Sequence, residues 1–188
     1  MVLEGTRMYG LIQKGLKDMV CRSMGDDVWN EICETASCED LDFEPLQSYP
    51  DSLTASLVDA CAKRMELSHE EVLRRFGRYW VVFTAHEGYG PILDLFGGDL
   101  RTCLRNLNRM HGHMGAMMPN LKPPRFVVEE EQGMQIKLRY YSSRQGLAPM
   151  VHGLIEGLSE KFGEPVVVRQ LPRSQEVDHD EFEIDMQS

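Results

Sequence analysis

The chain of 188 residues contains no apolar run approaching the roughly 20 residues that span a bilayer, and its start, MVLEGTRMYG, lacks the basic, apolar and small-residue order of a secretory signal. Basic residues are in the minority: 20 Lys and Arg against 30 Asp and Glu give a formal net charge of -10, and no Lys/Arg cluster with interleaved aromatics offsets it. A surface of that sign repels phosphate backbones, which argues against a nucleic-acid partner. The expectation is a cytoplasmic chain with no membrane partner.

Cysteine is sparse and unpatterned. Cys21, Cys33, Cys38, Cys61 and Cys103 are odd in number and lack paired C-x-x-C spacing, so neither a disulfide framework nor a zinc cage is suggested, and reduced, mostly buried thiols are the plainer reading. No G-x-S-x-G elbow, no H-E-x-x-H, no internal repeat and no low-complexity tract occurs. A hydrolytic enzyme without a coloured cofactor is therefore the distant rival rather than the leading reading. With 42% hydrophobic and 27% charged residues, one globular domain of ordinary size is expected. Residues 1–7 add nothing to the pattern that begins at Met8 and are expected to form an N-terminal extension, leaving 8–188 as a single domain.

What is present reads as helices first and strands later. Leu11, Ile12, Leu16, Met19 and Val20 recur at helical spacing up to about Met24, and Gly25 with Asp26 and Asp27 closes that helix and caps VWNEICETA. The stretch Ser37 to Ser52 reads as a surface loop, Leu53 to Met65 as a helix, and Ser68 with Glu71 as a capping box opening EEVLRRFGRYW, with a break at the glycines of VVFTAHEGYGP. Asp99 caps a long helix to about Met114, after which Pro119, Pro123 and Pro124 forbid continuation. A hairpin turning near Gly133, an amphipathic helix over GLAPMVHGLIEGLSEKFG, and strands PVVVRQL and EFEIDM follow. The fold class expected is α+β, a helical N-terminal half packed on a small antiparallel sheet.

Two features resist that simple scheme. Leu100, Leu104, Leu107 and Met114 form one apolar stripe whose missing member is His111, and His113 is rotated from it by roughly 200° at about 3.6 residues per turn, so the two imidazoles cannot share a metal. A lone histidine on an apolar stripe is more often a satisfied core residue than a ligand. The second feature is MQIKLRYYSSRQG. Met134, Ile136 and Leu138 alternate with polar residues, and the same parity turns Tyr140, Ser142 and Arg144 inward. A strand end drifting into polar residues as it leaves the core would read the same way.

Taken together, the two narrow the choice. One axial imidazole in apolar surroundings, with a forked cation and two hydroxyls that can hold carboxylates, fits haem better than other common cofactors. The pattern Tyr140-x-Ser142-x-Arg144, preceded by LNRMHGHM with His111 and by Pro124, resembles the haem-nitric oxide/oxygen-binding (H-NOX) family, which includes the sensor domains of soluble guanylate cyclase; MYGL, VWNEI and EGYG extend the likeness from Met8 to the C-terminus. The resemblance implies haem b (iron protoporphyrin IX) buried between helices and sheet. It implies His111 as the proximal iron ligand, Tyr140, Ser142 and Arg144 on the propionates, Ile12 and Pro124 pressing on the macrocycle, and Met110 lining the proximal side.

Family members that hold oxygen use a distal tyrosine. Its position matches Met150, or Pro149 if the register shifts by one, and neither donates a hydrogen bond. Leu16 matches a second distal position and is apolar, whereas Trp80 matches a third and can donate through its indole. The resemblance thus implies a sensor rather than an enzyme, binding nitric oxide and carbon monoxide, discriminating against oxygen, and signalling by release of His111 to a guanylate cyclase, histidine kinase or diguanylate cyclase. An oxygen-binding haem sensor is the alternative. A second metal at His179 in VDHDEF has no cysteines nearby to support it, and a solvated acidic turn is expected there.

Overall fold

The computed structural model describes residues 7–39, 42–117, 122–129, 133–174 and 176–187. The chain divides into two compact units, Met1–Phe76 and Gly77–Ser188.

In the first unit a short strand β1 (Arg7–Tyr9) leads directly into α1 (Gly10–Met24), followed by α2 (Asp26–Thr35), β2 (Ser48–Pro50) and α3 (Asp51–Met65). The expected stripe on α1 is buried through Leu11, Leu16, Met19 and Val20, with Ile12 half-buried beside it. Gly25, at φ 92, lets the chain turn between α1 and α2. The stretch expected to be a loop holds β2, which pairs antiparallel with β1 so that Arg7 faces Pro50 and Tyr9 faces Ser48. A three-residue strand is too short to show alternation, so periodicity could not reveal it. Helix α4 (His69–Thr84) begins in this unit, where the Ser68 hydroxyl accepts the Glu71 N–H at 3.1 Å, as the capping box requires.

The second unit is built on a four-stranded antiparallel sheet of order β3-β4-β6-β5, with β3 (Arg125–Glu129), β4 (Gln135–Tyr141), β5 (Val166–Gln170) and β6 (His179–Met186). Helices α5 (Gly90–Leu95), α6 (Leu100–Met117) and α7 (Ala148–Phe162) accompany it. Ile136, Leu138, Tyr140, Phe182 and Ile184 on the sheet form one core with Leu100, Leu104 and Leu107 of α6 and Val151, Ile155 and Leu158 of α7. Each such apolar side chain contributes about 1.5–3 kcal/mol by leaving water.

Helix α4 runs to Thr84, and the break expected at the glycines takes the form of a wider turn over Ala85–Tyr89, where Gly88 has φ 89. Helix α6 is fixed at its start by Asp99, whose carboxylate accepts the Thr102 N–H at 2.7 Å, and by Glu164, which accepts the Leu100 N–H at 2.8 Å. Helix α7 crosses α4 at close range. A β-carbon on Gly77 would strike the Met150 carbonyl, and one on Gly157 would strike the Arg78 carbonyl, so two glycines set the approach.

The acidic turn expected around His179 is instead the start of β6. His179 is buried, faces Asp178 and Glu181 at 3.2 Å each, and lies 4.8 Å from the Tyr141 ring, which Arg125 covers from 3.8 Å. Among the described residues no group of three His, Cys, Asp or Glu side chains is placed to hold a metal, and no helix is long and apolar enough to cross a membrane.

Candidate functional site

Helix α6 carries His111 one turn beyond Leu107, at the end of its buried stripe. The imidazole is half-buried, and its Nδ1 is shielded from solvent without a hydrogen-bond partner among the described residues. A structural core histidine would be expected to satisfy that atom. Burial holds the imidazole pKa below its ordinary value, with the facing Pro124 backbone acting more weakly in the opposite sense. The ring is therefore neutral at physiological pH and retains a lone pair for a metal. Met110, beside it, is half-buried against the core.

The imidazole meets strand β3 through Phe126, with ring centroids 5.9 Å apart, and Phe126 in turn lies 5.4 Å from the ring of Tyr140. Phe126 and Tyr140 are cross-strand partners in the β3–β4 register. Sequence reading did not single out Phe126, nor Asn108, whose side chain binds both backbone groups of Phe126, donating to its carbonyl at 2.6 Å and accepting its N–H at 2.9 Å. The available signal was an asparagine inside a helix, a residue that favours side-chain bonds to backbone over helix interiors.

Tyr140 is 3% exposed and continues the inward parity of Ile136 and Leu138. Burial raises its phenol pKa, Ser142 and Arg144 oppose that, and Asp180 adds to it, so the hydroxyl stays a neutral donor. The inward alternation stops at both ends of β4. Met134 precedes β4 in the hairpin turn and is 51% exposed, while Ser142 and Arg144 lie past its end at Tyr141. There a local turn replaces the ladder: the Ser142 hydroxyl accepts the Arg144 N–H at 3.0 Å. The half-buried Arg144 reaches back so that its Nη1 donates to the Lys122 carbonyl at 3.2 Å, next to the half-buried Pro124.

The structure thus collects His111, Pro124, Tyr140, Ser142 and Arg144 around β3 and the C-terminal end of β4. Trp80 and Met150 belong to the α4–α7 crossing: Trp80 is half-buried with its ring 5.6 Å from Phe83, and Met150 is half-buried in the first turn of α7. Ile12 and Leu16 lie on α1 of the first unit, half-buried and fully buried respectively. A neutral imidazole with an unpartnered Nδ1 at the end of an apolar stripe, joined through the tilted rings of Phe126 and Tyr140 to a donor set of phenol, hydroxyl and guanidinium, fits a planar iron cofactor with carboxylate arms.

Comparison with known proteins agrees. A family model described as Haem-NO-binding matches residues 9–170. Soluble guanylate cyclase gcy-35 of Caenorhabditis elegans is 27% identical over 173 residues, which is 90% of this chain and 25% of that protein. Soluble guanylate cyclase gcy-37 of the same organism is 30% identical over 173 residues, 90% of this chain and 24% of that protein. The chain therefore spans about a quarter of the length of these cyclases. Among solved structures, an H-NOX protein from S. oneidensis in the Fe(II)NO state superposes with a TM-score of 0.86 at 25% identity, covering 96% of this chain and 100% of that one. A triple mutant of an H-NOX protein from that organism, in the Fe(II) state, gives a TM-score of 0.87 at 25% identity, covering 96% and 97%.

Proposed function

The chain belongs to the haem-NO-binding family, and from that membership we propose that it senses nitric oxide and carbon monoxide at ferrous haem, discriminates against oxygen, and reports by releasing His111. At the coarser level it is a haem-based gas sensor of the soluble guanylate cyclase type and not a catalyst. Residues 8–188 act in this reading as one haem-binding domain, working in the cytoplasm.

Haem b, when bound, supplies an iron that a diatomic gas can ligate. His111 would hold that iron through its neutral imidazole. Arg144 would fork onto one carboxylate, and Tyr140 and Ser142 would donate to the same pair of arms, each already oriented by burial or by the Ser142 turn. Pro124 and Ile12 would press on the ring, and Met110 would line the side of His111. Met150 offers no hydrogen-bond donor, which disfavours a bound gas carrying negative charge; Trp80 retains one donor.

His111 is carried by α6 and, among the described residues, meets beyond that helix the Phe126 ring and the Pro124 backbone but no side-chain hydrogen-bond partner, so its release breaks no side-chain hydrogen bond. A two-state element of this kind shifts by the difference in ligand affinity between its states. The output partner would be a guanylate cyclase, as the relatives suggest, or a histidine kinase or diguanylate cyclase, in the same polypeptide or another.

The observation that carries the reading is the shielded, unpartnered Nδ1 of His111 at the end of the apolar stripe. The test is the absorption spectrum of the reduced, haem-loaded protein in air and under nitric oxide. An unchanged spectrum in air with a shifted one under nitric oxide supports the proposal. A stable oxygen complex in air favours the oxygen-sensor alternative, and failure to take up haem at all removes both.

A further inference from the structure

The C-terminus of α2 places two cysteines where that helix end makes its characteristic side-chain contact. Ser37 follows α2 with φ 53, in the left-handed region, and its N–H donates to the Glu34 carbonyl at 3.1 Å. The Cys38 N–H donates to the Cys33 carbonyl at 2.9 Å. These two bonds and the left-handed residue define a Schellman motif, in which the third residue from the helix end and the second residue beyond it pack side chain on side chain. Here those residues are Cys33 and Cys38.

The two thiols differ in access. Cys33 is 1% exposed and lies in the core of the first unit, whereas Cys38 is half-buried. Burial first, and then the Cys38 thiol that hydrogen-bonds it, push the Cys33 thiol up to about 12, with a smaller effect from Cys61. Cys33 is therefore a thiol at neutral pH, and attack on an oxidant must start at the more accessible Cys38. Cys61 and Cys103 are wholly buried, and Cys21 sits on α1 beside Asp26, so none of these three has both a neighbouring thiol and exposure.

We propose that Cys33 and Cys38 are a peroxide-responsive modification site, closing to a disulfide that staples the end of α2. The Cys38 thiolate attacks the outer oxygen of a hydroperoxide, giving a sulfenic acid and releasing water or an alcohol. The Cys33 sulfur then forms the S–S bond to Cys38, and the hydroxyl leaves with the Cys33 proton as water. Two thiols lose two electrons, and the peroxide O–O bond is reduced. A backbone hydrogen bond between the partners keeps their α-carbons within the roughly 4.4–6.8 Å over which disulfides close. This inference is independent of the gas-sensing reading.

The test uses the purified full chain, treated with hydrogen peroxide, alkylated with iodoacetamide and cut with a glutamyl endopeptidase. Cleavage after Glu31, Glu34 and Glu39 puts Cys33 in Ile32–Glu34, Cys38 in Thr35–Glu39, and Cys61 in another peptide. The expected result is a linked pair of the first two peptides that dithiothreitol separates, lost in Cys38→Ser. In Cys33→Ser, Cys38 should accumulate sulfinic acid instead. Should Cys33→Ser fail to fold, the wild-type and Cys38→Ser maps decide alone. Wild-type protein with Cys38 over-oxidised or alkylated and Cys33 fully alkylated, or a link to Cys61, would overturn the proposal.

Discussion

Asn108 holds both backbone groups of Phe126, its amide donating to the carbonyl at 2.6 Å and its oxygen accepting the N–H at 2.9 Å. Phe126 lies on β3, at the edge of the four-stranded sheet, where those groups would otherwise face outward without a strand to pair. The side chain of Asn108 takes the place of a fifth strand. Because Asn108 precedes His111 by three residues, about one turn, the same two bonds set the height of α6 against β3 and bring the Phe126 ring to 5.9 Å from the imidazole.

Asn108→Ala leaves two backbone groups of a buried residue unpaired and should lower stability by roughly 2–4 kcal/mol. Urea denaturation checks this. Asn108→Asp keeps the acceptor and loses the amide donor, so it should fall between the two. Equal midpoints for all three proteins would show that the clamp does not hold the strand.

Arg144 donates to the Lys122 carbonyl and stands beside the Ser142 hydroxyl, a position suited to a carboxylate arm. Arg144→Ala should speed haem loss about tenfold or more, followed by transfer to an apoglobin acceptor. Arg144→Lys should recover only part of the retention, because an ammonium lacks the guanidinium fork. Retention equal to wild type in both variants would remove Arg144 from the cofactor set.

Glu181 provides a pH signature on the sheet. Burial alone would raise its carboxyl, but hydrogen bonds from Arg139, His179 and Lys137 together outweigh it and bring the pKa down to about 2 from 4.5. A folded-state pKa below the unfolded one means stability that is present above pH 4.5 and lost as pH falls through about 2. Glu181→Gln should therefore cost of order 1–2 kcal/mol at neutral pH, reduced from the full shift by the solvent exposure of its partners, and the gap should close on acidification. Thermal melts of the two proteins between neutral pH and pH 2 measure it. A constant gap across that range would contradict the assignment.

Much of this was legible in the sequence because it is periodic. The stripe on α6 displays His111 by interrupting Leu100, Leu104, Leu107 and Met114, and the alternation in β4 carries correctly as far as Tyr140. Asp99 and Ser68 announce their helices because capping needs an oxygen at a fixed offset. The misses have physical reasons as well. Ser142 and Arg144 leave the strand in a side-chain turn that alternation does not encode. β2 is three residues long and exists only through its pairing with β1. His179 looks like part of an acidic surface turn until β6 and Tyr141 cover it. The role of Asn108 depends on an edge strand that comes later in the chain.

The α4–α7 crossing gives a packing test. Gly77→Ala places a methyl against the Met150 carbonyl, a backbone atom that cannot swing aside. The helices must part, and the expected cost is about 1–3 kcal/mol with a disturbed environment for Trp80, three residues away on α4. Denaturation with tryptophan fluorescence reads both. An unchanged midpoint and emission would mean that the helices tolerate greater separation.

The central claim is that the His111 imidazole holds the iron, and its most direct measurement is the electronic spectrum of ferrous, haem-loaded His111→Gly with and without added imidazole. The account predicts a spectrum altered from wild type and restored by imidazole, which supplies the missing ligand from solution. A ferrous spectrum identical to wild type, with no response to imidazole, would contradict it.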